Sequence, residues 1–148
     1  MSQNRFTVII HDKIQPYKKN IEVDSDKSIS IRSFLIGAIA QNISISENVL
    51  ESDDVLSTIN CLKKLGVKIL KTGNKKFAIY GKGLGSLYAK KNTTLNFGNS
   101  GTLARLLIGI LSTTPNIQLK LTGDSSLKRR SMKSIIQLMT RFGATFFP

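Results

Sequence analysis

The stretch Asp26-Lys27-Ser28-Ile29-Ser30-Ile31-Arg32, with the apolar run at 33–40 that follows it, decides the fold. From position 34 to position 40 only Gly37 interrupts the apolar sequence, and a helix that is apolar all round is normally buried. We therefore expect a buried helix over about 27–41. Its N-terminus presents unpaired N–H groups and the positive end of the helix dipole, which attract anions. The stretch thus predicts a phosphate or carboxylate site, for which the candidates are Lys27, Ser28 and Arg32.

The composition allows one domain with its own core, because the chain has 148 residues and 41% of them are hydrophobic. No apolar run reaches the length of a transmembrane helix, and the first residues lack the apolar region of a signal peptide, so we expect a soluble, cytoplasmic protein. The single cysteine, Cys61, falls on a helical pattern and is interpreted as a core thiol. A net charge of +13 admits nucleic acid, an anionic membrane or an anionic metabolite as the partner without choosing among them.

The predicted elements occur twice, at an offset of about 72 to 77 residues, which indicates an internal repeat. A further β-rich run precedes them at 6–10. The first unit consists of a strand at 21–23, the buried helix, a strand at 43–46 and a surface helix after 52–54. It ends in a hairpin whose strands are 67–70 and 76–80 and whose turn is 72–74. The second consists of a strand at 94–97, an apolar helix to 111, a strand at 117–121 and an amphipathic helix at 131–142. Because the second unit lacks the final hairpin, we expect a fragment of a longer protein, or completion by a partner.

The start of the second apolar helix repeats the chemistry of the first, with Asn99, Gly101, Thr102 and Arg105. A glycine lets a ligand approach the backbone closely, and arginine can hold a phosphate or carboxylate through two parallel hydrogen bonds. A third basic run, 128–130, precedes the last helix and ends in Arg130. Several converging cations favour a doubly charged metabolite as the ligand.

Each of these residues also has an ordinary structural interpretation. Ser28 is a possible helix N-cap, Gly101 a possible turn glycine, and Arg130 taken alone is typical of a solvated surface. The acidic pair Asp53 and Asp54 is interpreted as the first turn of a helix and not as a catalytic dyad.

Three stretches, taken together, resemble signatures of the EPSP synthase (3-phosphoshikimate 1-carboxyvinyltransferase) family, and 50–55 is similar to a fourth. They are Asp26–Arg32, Asn99–Arg105 and Gly123–Met132. The resemblance implies an α/β (α+β) fold made of repeated βαβαββ units in an inside-out α/β barrel, incomplete in this chain. Residues 1–19 would be an initial strand and crossover belonging to the other, C-terminal domain. Residues 20–148 would be a partial N-terminal domain, with one full unit at about 20–92 and most of a second at about 93–148.

The activity implied by the resemblance is transfer of the enolpyruvyl group of phosphoenolpyruvate to the 5-hydroxyl of shikimate 3-phosphate. It requires no metal or organic cofactor and no nucleic-acid or membrane partner, and the full enzyme would be monomeric. The missing C-terminal part of the enzyme would complete the site, so residues 1–148 alone should be inactive.

Site residues are carried over from the resemblance by matching position. Lys27 is implied to be catalytic and to contact both substrates, while Ser28 and Arg32 hold shikimate 3-phosphate. Phosphoenolpyruvate is implied to bind Lys27, Asn99, Gly101 and Arg130, supported by Thr102 and Arg105. Gly101 also resembles the glycine whose replacement by alanine confers glyphosate resistance.

The sequence departs from the family pattern at 23–25, where Pro-Gly is usual, at Ile31, where His or Asn is common, and at Ser131, where proline is usual. Two other functions are alternatives to this one. The UDP-N-acetylglucosamine enolpyruvyl transferases usually carry a cysteine in the loop that matches 123–130, and no cysteine is present there. A basic nucleic-acid-binding module would need exposed aromatic residues or arginines along one face, whereas Phe6, Phe34, Phe97 and Phe142 fall on apolar patterns.

Overall fold

The computed structural model describes residues 7–13, 15–16, 18–21 and 23–147. In chain order the elements are α1 (Lys27–Ile39), β1 (Ile43–Ser46), α2 (Asp53–Lys64), β2 (Lys68–Gly73), β3 (Lys76–Tyr80), β4 (Thr94–Asn96), α3 (Gly101–Leu111), β5 (Lys120–Thr122), α4 (Ser125–Lys128) and α5 (Lys133–Arg141). Strands β1, β3 and β2 form an antiparallel sheet in that order, and β4 pairs with β5 in parallel. The mixture of helices and strands confirms the α/β class.

Side-chain caps fix where the two most apolar helices begin. At α1, Oδ1 of Asp26 accepts the N–H of Ile29 at 2.7 Å, so the N-cap is Asp26 and not Ser28. At α3, Oγ of Ser100 accepts the N–H of Leu103 at 3.3 Å. The helix starts therefore fall within the two motifs that the sequence singled out, with each cap directly before the first helical residue.

The core lies where α1 and α2 pack together against the three-stranded sheet, and α3 extends it by packing against α1. Phe34 of α1 meets Phe77 of β3 edge to face, with ring centroids 5.3 Å apart and an interplanar angle of 73°. Gly37 allows α1 this close to the sheet, because a Cβ there would lie 3.0 Å from Cδ1 of the fully buried Ile79. The glycine that interrupts the apolar run is thus a packing residue.

The expectation that α1 is buried all round is wrong. Ile29 and Ile36 are each 65% exposed, although Ile31 and Phe34 on the opposite side are fully buried. Positions 29 and 36 are seven residues apart and share one helical face, which no other element covers in the described part of the chain. The apolar sequence of this face is therefore not explained by packing within the described residues.

Several predicted boundaries also differ. No strand forms over the described residues 7–10, which are exposed, or at Ile21 and Val23; the predicted positions 6 and 22 lie outside the described residues. A strand requires a hydrogen-bonded neighbour, and none is supplied there by the described residues. The second unit's strand is Lys120–Thr122 rather than 117–121, since it pairs with β4 in that register.

The helices and turns show smaller differences. The last helix begins at Lys133 rather than at 131, and the hairpin turn consists of Asn74 and Lys75 rather than 72–74. The short helix α4 was not predicted. Among the described residues no helix has the length and apolar character needed to cross a bilayer.

Candidate anion-binding site

Three helix N-termini converge on one cavity of about 260 Å³. Lys27 is the first residue of α1, Asp54 the second residue of α2 and Gly101 the first residue of α3. The lining residues are Lys27, Asp54, Asn99, Gly101, Thr102, Arg105 and Arg130. Because each helix N-terminus carries a partial positive charge and unpaired N–H groups, their convergence creates a site suited to an anion.

The parallel pairing of β4 and β5 brings the last two motifs together, since the carboxyl ends of parallel strands meet at one edge. The N–H of Asp124 donates to the carbonyl of Gly98 at 2.9 Å. A Cβ on Gly123 would lie 2.8 Å from that carbonyl oxygen, so the close contact between the two loops requires glycine there. Asp124 then caps α4 through Leu127, and the carbonyl of Leu127 accepts the N–H of Arg130 at 3.0 Å. The short helix thereby places Arg130, two residues after its end, in the lining of the cavity.

Both arginines of the cavity are held by hydrogen bonds. Nη2 of Arg130 donates to Oδ1 of Asn99 at 2.6 Å. Arg105 donates to the carbonyl of Gly101 at 3.3 Å and to that of Ser131 at 3.4 Å. The orientation of Arg130 therefore depends on Asn99, and Ser131 at the usual proline position contributes a carbonyl to hold the other guanidinium.

Gly101 is the point at which both guanidinium groups approach the backbone of α3. A Cβ on this residue would lie 2.8 Å from Nη1 of Arg105 and 3.0 Å from Nη1 of Arg130. Any side chain at this position would displace the arginines, so the absence of a Cβ permits the observed arrangement of charges. The sequence interpretation of Gly101 as a position of close approach agrees with this geometry.

Asp54 is the lining residue whose place in the site the sequence analysis missed. Its Oδ2 lies 3.0 Å from Nζ of Lys27, and its side chain is 17% exposed against 48% for the lysine. The similarity of 50–55 to a family signature is the signal that points to it, whereas the sequence pattern alone indicates only a helix first turn for Asp53 and Asp54. A first-turn carboxylate on α2 reaches Lys27 because α2 packs beside α1.

Ser28 and Arg32 lie outside the lining of this cavity. Ser28 is half-buried and Arg32 is exposed, and their spacing of four residues places them on one face of α1. Ile31, at the position where the family commonly has His or Asn, is fully buried and belongs to the core. The structure thus groups most of the predicted site residues in the cavity and leaves Ser28 and Arg32 on the adjoining helix surface.

The balance of charge in the cavity is positive, with the cations Lys27, Arg105 and Arg130 against the single carboxylate of Asp54. Within the described ranges, no group of three or more His, Cys, Asp or Glu side chains is placed to hold a metal ion. The cavity can bind a small anion by charge-assisted hydrogen bonds from side chains and by N–H groups at the helix starts.

Comparison with known proteins shows the family to which the chain belongs. The profile of the EPSP synthase (3-phosphoshikimate 1-carboxyvinyltransferase) family matches residues 11–147. The chain therefore belongs to the EPSP synthase family.

Three similar proteins are each much longer than this chain. The 3-phosphoshikimate 1-carboxyvinyltransferase of Syntrophomonas wolfei is 42% identical over 135 residues, which is 91% of this chain and 31% of that protein. The protein of the same name from Desulforamulus reducens is 43% identical over 136 residues, 90% of this chain and 31% of that protein. A solved structure of EPSP synthase from Acinetobacter baumannii superposes with a TM-score of 0.76 at 38% identity, covering 84% of this chain and 28% of the other. The chain spans about three tenths of the length of these relatives.

Proposed function

We propose that this chain forms part of an enzyme that transfers the enolpyruvyl group of phosphoenolpyruvate to the 5-hydroxyl of shikimate 3-phosphate. In the addition step the hydroxyl oxygen bonds to C2 of phosphoenolpyruvate, C3 gains a proton and the hydroxyl loses one. In the elimination step the bond from C2 to the phosphate oxygen breaks and C3 loses a proton, giving the enolpyruvyl ether and inorganic phosphate. The scheme needs no metal or organic cofactor.

The observation that carries this proposal is the convergence of three helix N-termini and three cationic side chains on one cavity. Phosphoenolpyruvate carries a carboxylate and a phosphate, and negative charge accumulates on the departing phosphate during elimination. Fixed cations and N–H dipoles that face developing charge stabilise a transition state. Each charge-assisted hydrogen bond contributes about 1.5–3 kcal/mol, so a few of them suffice for productive binding.

Roles follow for the residues of the cavity. Lys27 acts as the catalytic cation that contacts both substrates near the reacting hydroxyl, since it stands where α1 meets the cavity. Asn99, Gly101 and Arg130 line the phosphoenolpyruvate site together with Lys27. The other two residues, Thr102 and Arg105, support this wall, and Arg105 does so through its hydrogen bonds to two backbone carbonyls.

Shikimate 3-phosphate is proposed to lie on the adjoining surface of α1, where Ser28 and Arg32 share a face. A hydroxyl and a guanidinium can both donate to the phosphate oxygens of this substrate. The exposure of Arg32 leaves its guanidinium accessible to such a ligand. The reacting hydroxyl then points towards Lys27, which stands between the two sub-sites.

The family also supports a finer architecture. Residues 20–92 and 93–148 are proposed to be one full and one partial βαβαββ unit of an inside-out α/β barrel, and residues 1–19 to lead from the other domain. The rest of the enzyme, which its relatives contain, would form the opposite wall of the site. We propose a monomeric enzyme of the cytoplasm.

The test is a phosphate-release assay on a chimera in which residues 1–148 replace the matching segment of the Syntrophomonas wolfei relative. We expect phosphate release that requires both phosphoenolpyruvate and shikimate 3-phosphate, and none from residues 1–148 alone. The parental relative is the positive control. A folded chimera without substrate-dependent release, assayed beside an active parent, would refute the proposed function.

A further inference from the structure

We propose that Asp54 is a positioning residue, which holds the ammonium group of Lys27 in the cavity; the inference rests on the proposed function. Its Oδ2 is 3.0 Å from Nζ of Lys27, so the two side chains form an ion pair. Asp54 is also the only carboxylate among the residues that line the cavity. A negative charge in a site for anions opposes ligand binding. The presence of Asp54 is therefore explained only if this carboxylate helps the reaction in another way.

The anchoring of the two partners is unequal. The backbone at Asp54 is fixed, since its carbonyl accepts a hydrogen bond from the fully buried Thr58 at 2.8 Å and the next residue, Val55, is fully buried. The side chain of Lys27 is 48% exposed and has four rotatable bonds, so without a partner it would occupy many rotamers. The carboxylate therefore restrains the lysine, and the lysine does little to restrain the carboxylate.

The position of Asp54 in the first turn of α2 suits this role. A carboxylate in this turn interacts favourably with the positive end of the helix dipole, and here it also faces the ammonium group of Lys27. Asp53 precedes it in the same turn and is exposed, and it does not line the cavity. Both aspartates interact with the dipole of α2, but only Asp54 forms the ion pair with Lys27. Asp53 is therefore a matched control.

Positioning and a purely structural role predict different kinetics. If Asp54 positions Lys27, replacing it with asparagine removes one opposing negative charge and leaves the lysine mobile. Misplacement of a catalytic group by about 1 Å can lower a rate by about 100-fold. We therefore expect Asp54→Asn to lower kcat by about 10- to 100-fold, while the KM for phosphoenolpyruvate stays the same or falls.

The experiment measures kcat and KM for Asp54→Asn, Asp54→Glu and Asp53→Asn in the chimera defined above. Asp53→Asn should match the unsubstituted chimera in both parameters, and Asp54→Glu should recover part of kcat because it restores a carboxylate. An unchanged kcat in Asp54→Asn would overturn the inference. Equal losses in Asp53→Asn and Asp54→Asn would overturn it as well, because they would indicate a helix-stabilising role.

A second measurement separates this inference from the proposed function. An unsubstituted chimera without activity would refute the proposed function, and the inference is then decided on residues 1–148 by NMR of the Lys27 ammonium group. An ion-paired ammonium exchanges its protons slowly, so its signal should be visible in the parent and in Asp53→Asn and lost in Asp54→Asn. Inorganic phosphate should bind Asp54→Asn at least as tightly as the parent. Identical ammonium signals in all three proteins would overturn the inference.

Discussion

Replacing Gly101 with alanine perturbs the cavity at the point where both guanidinium groups approach the backbone. The new Cβ would lie 2.8 Å from Nη1 of Arg105 and 3.0 Å from Nη1 of Arg130. Ordinary van der Waals contact begins at 3.4 Å, so the two groups must retreat by about 0.6 Å and 0.4 Å. Both are the far ends of flexible side chains, and they can move without disturbing the fold. Gly101→Ala should therefore lower the affinity of the cavity for its anionic ligand rather than the stability of the fold.

The size of the effect follows from the hydrogen bonds that the displaced arginines would lose. One charge-assisted hydrogen bond contributes about 1.5–3 kcal/mol. Since about 1.4 kcal/mol corresponds to a tenfold change in affinity, the loss of one such bond weakens phosphoenolpyruvate binding by about 10- to 150-fold. We expect the KM for phosphoenolpyruvate to rise by this factor in Gly101→Ala, with a much smaller change for shikimate 3-phosphate.

The assay is phosphate release by the chimera at varied phosphoenolpyruvate, with Gly109→Ala as the control. Gly109 belongs to the same helix, and a Cβ there would meet nothing within 4 Å. It gains the same methyl group and a helix-propensity benefit of about 1 kcal/mol without touching the cavity. Gly109→Ala should therefore keep the parental KM and unfold at a slightly higher temperature. A parental KM in Gly101→Ala would refute the assignment of the anion to this cavity.

Four further predictions concern the site and the core. Glyphosate should inhibit phosphate release by the chimera; unchanged turnover at saturating inhibitor would contradict this. Asn99→Ala should raise the KM for phosphoenolpyruvate about 2- to 10-fold, because Arg130 loses the acceptor 2.6 Å away; steady-state kinetics measures it, and an unchanged KM would count against that hydrogen bond. Phe34→Ala should lower the free energy of unfolding by about 3–5 kcal/mol in denaturant titrations, since its ring is fully buried against Phe77. Burial raises the pKa of the Cys61 thiol to about 11 from its ordinary value of 9.0. The free energy of unfolding, measured by denaturant titration, should therefore fall as pH rises through that interval, where only the unfolded state loses the proton, and Cys61→Ala should remove this part of the decline.

Most of the helix starts could be predicted from local sequence because they depend on local chemistry. A capping side chain and the backbone N–H that donates to it are three residues apart, as with Asp26 and Ile29, so the first turn is encoded within a few positions. The helix ends are local as well, since Gly66 and Gly143, which follow α2 and α5, adopt the positive φ that is common after a helix. The identity of the capping residue differs at α1, where Asp26 and not Ser28 makes the cap.

Burial was harder to predict, because it depends on what other elements lie alongside. The apolar sequence of α1 predicted a helix covered on all sides, yet Ile29 and Ile36 are exposed. The position of β5 similarly depends on its register with β4, a partner more than twenty residues away in the chain. The alternation of apolar and polar residues within one strand does not determine the register in which that strand pairs with a distant one.

The sequence by itself determined which residue types could hold an anion, through the paired motifs at 26–32 and 99–105 and the arginine at 130. It also determined the family, because the order and combination of these motifs are highly specific. Only the tertiary structure decided that Lys27 faces Asp54 and that Arg130 is oriented by Asn99. These contacts join residues about 30 positions apart, and their geometry is set by helix packing and by parallel strand pairing rather than by local sequence.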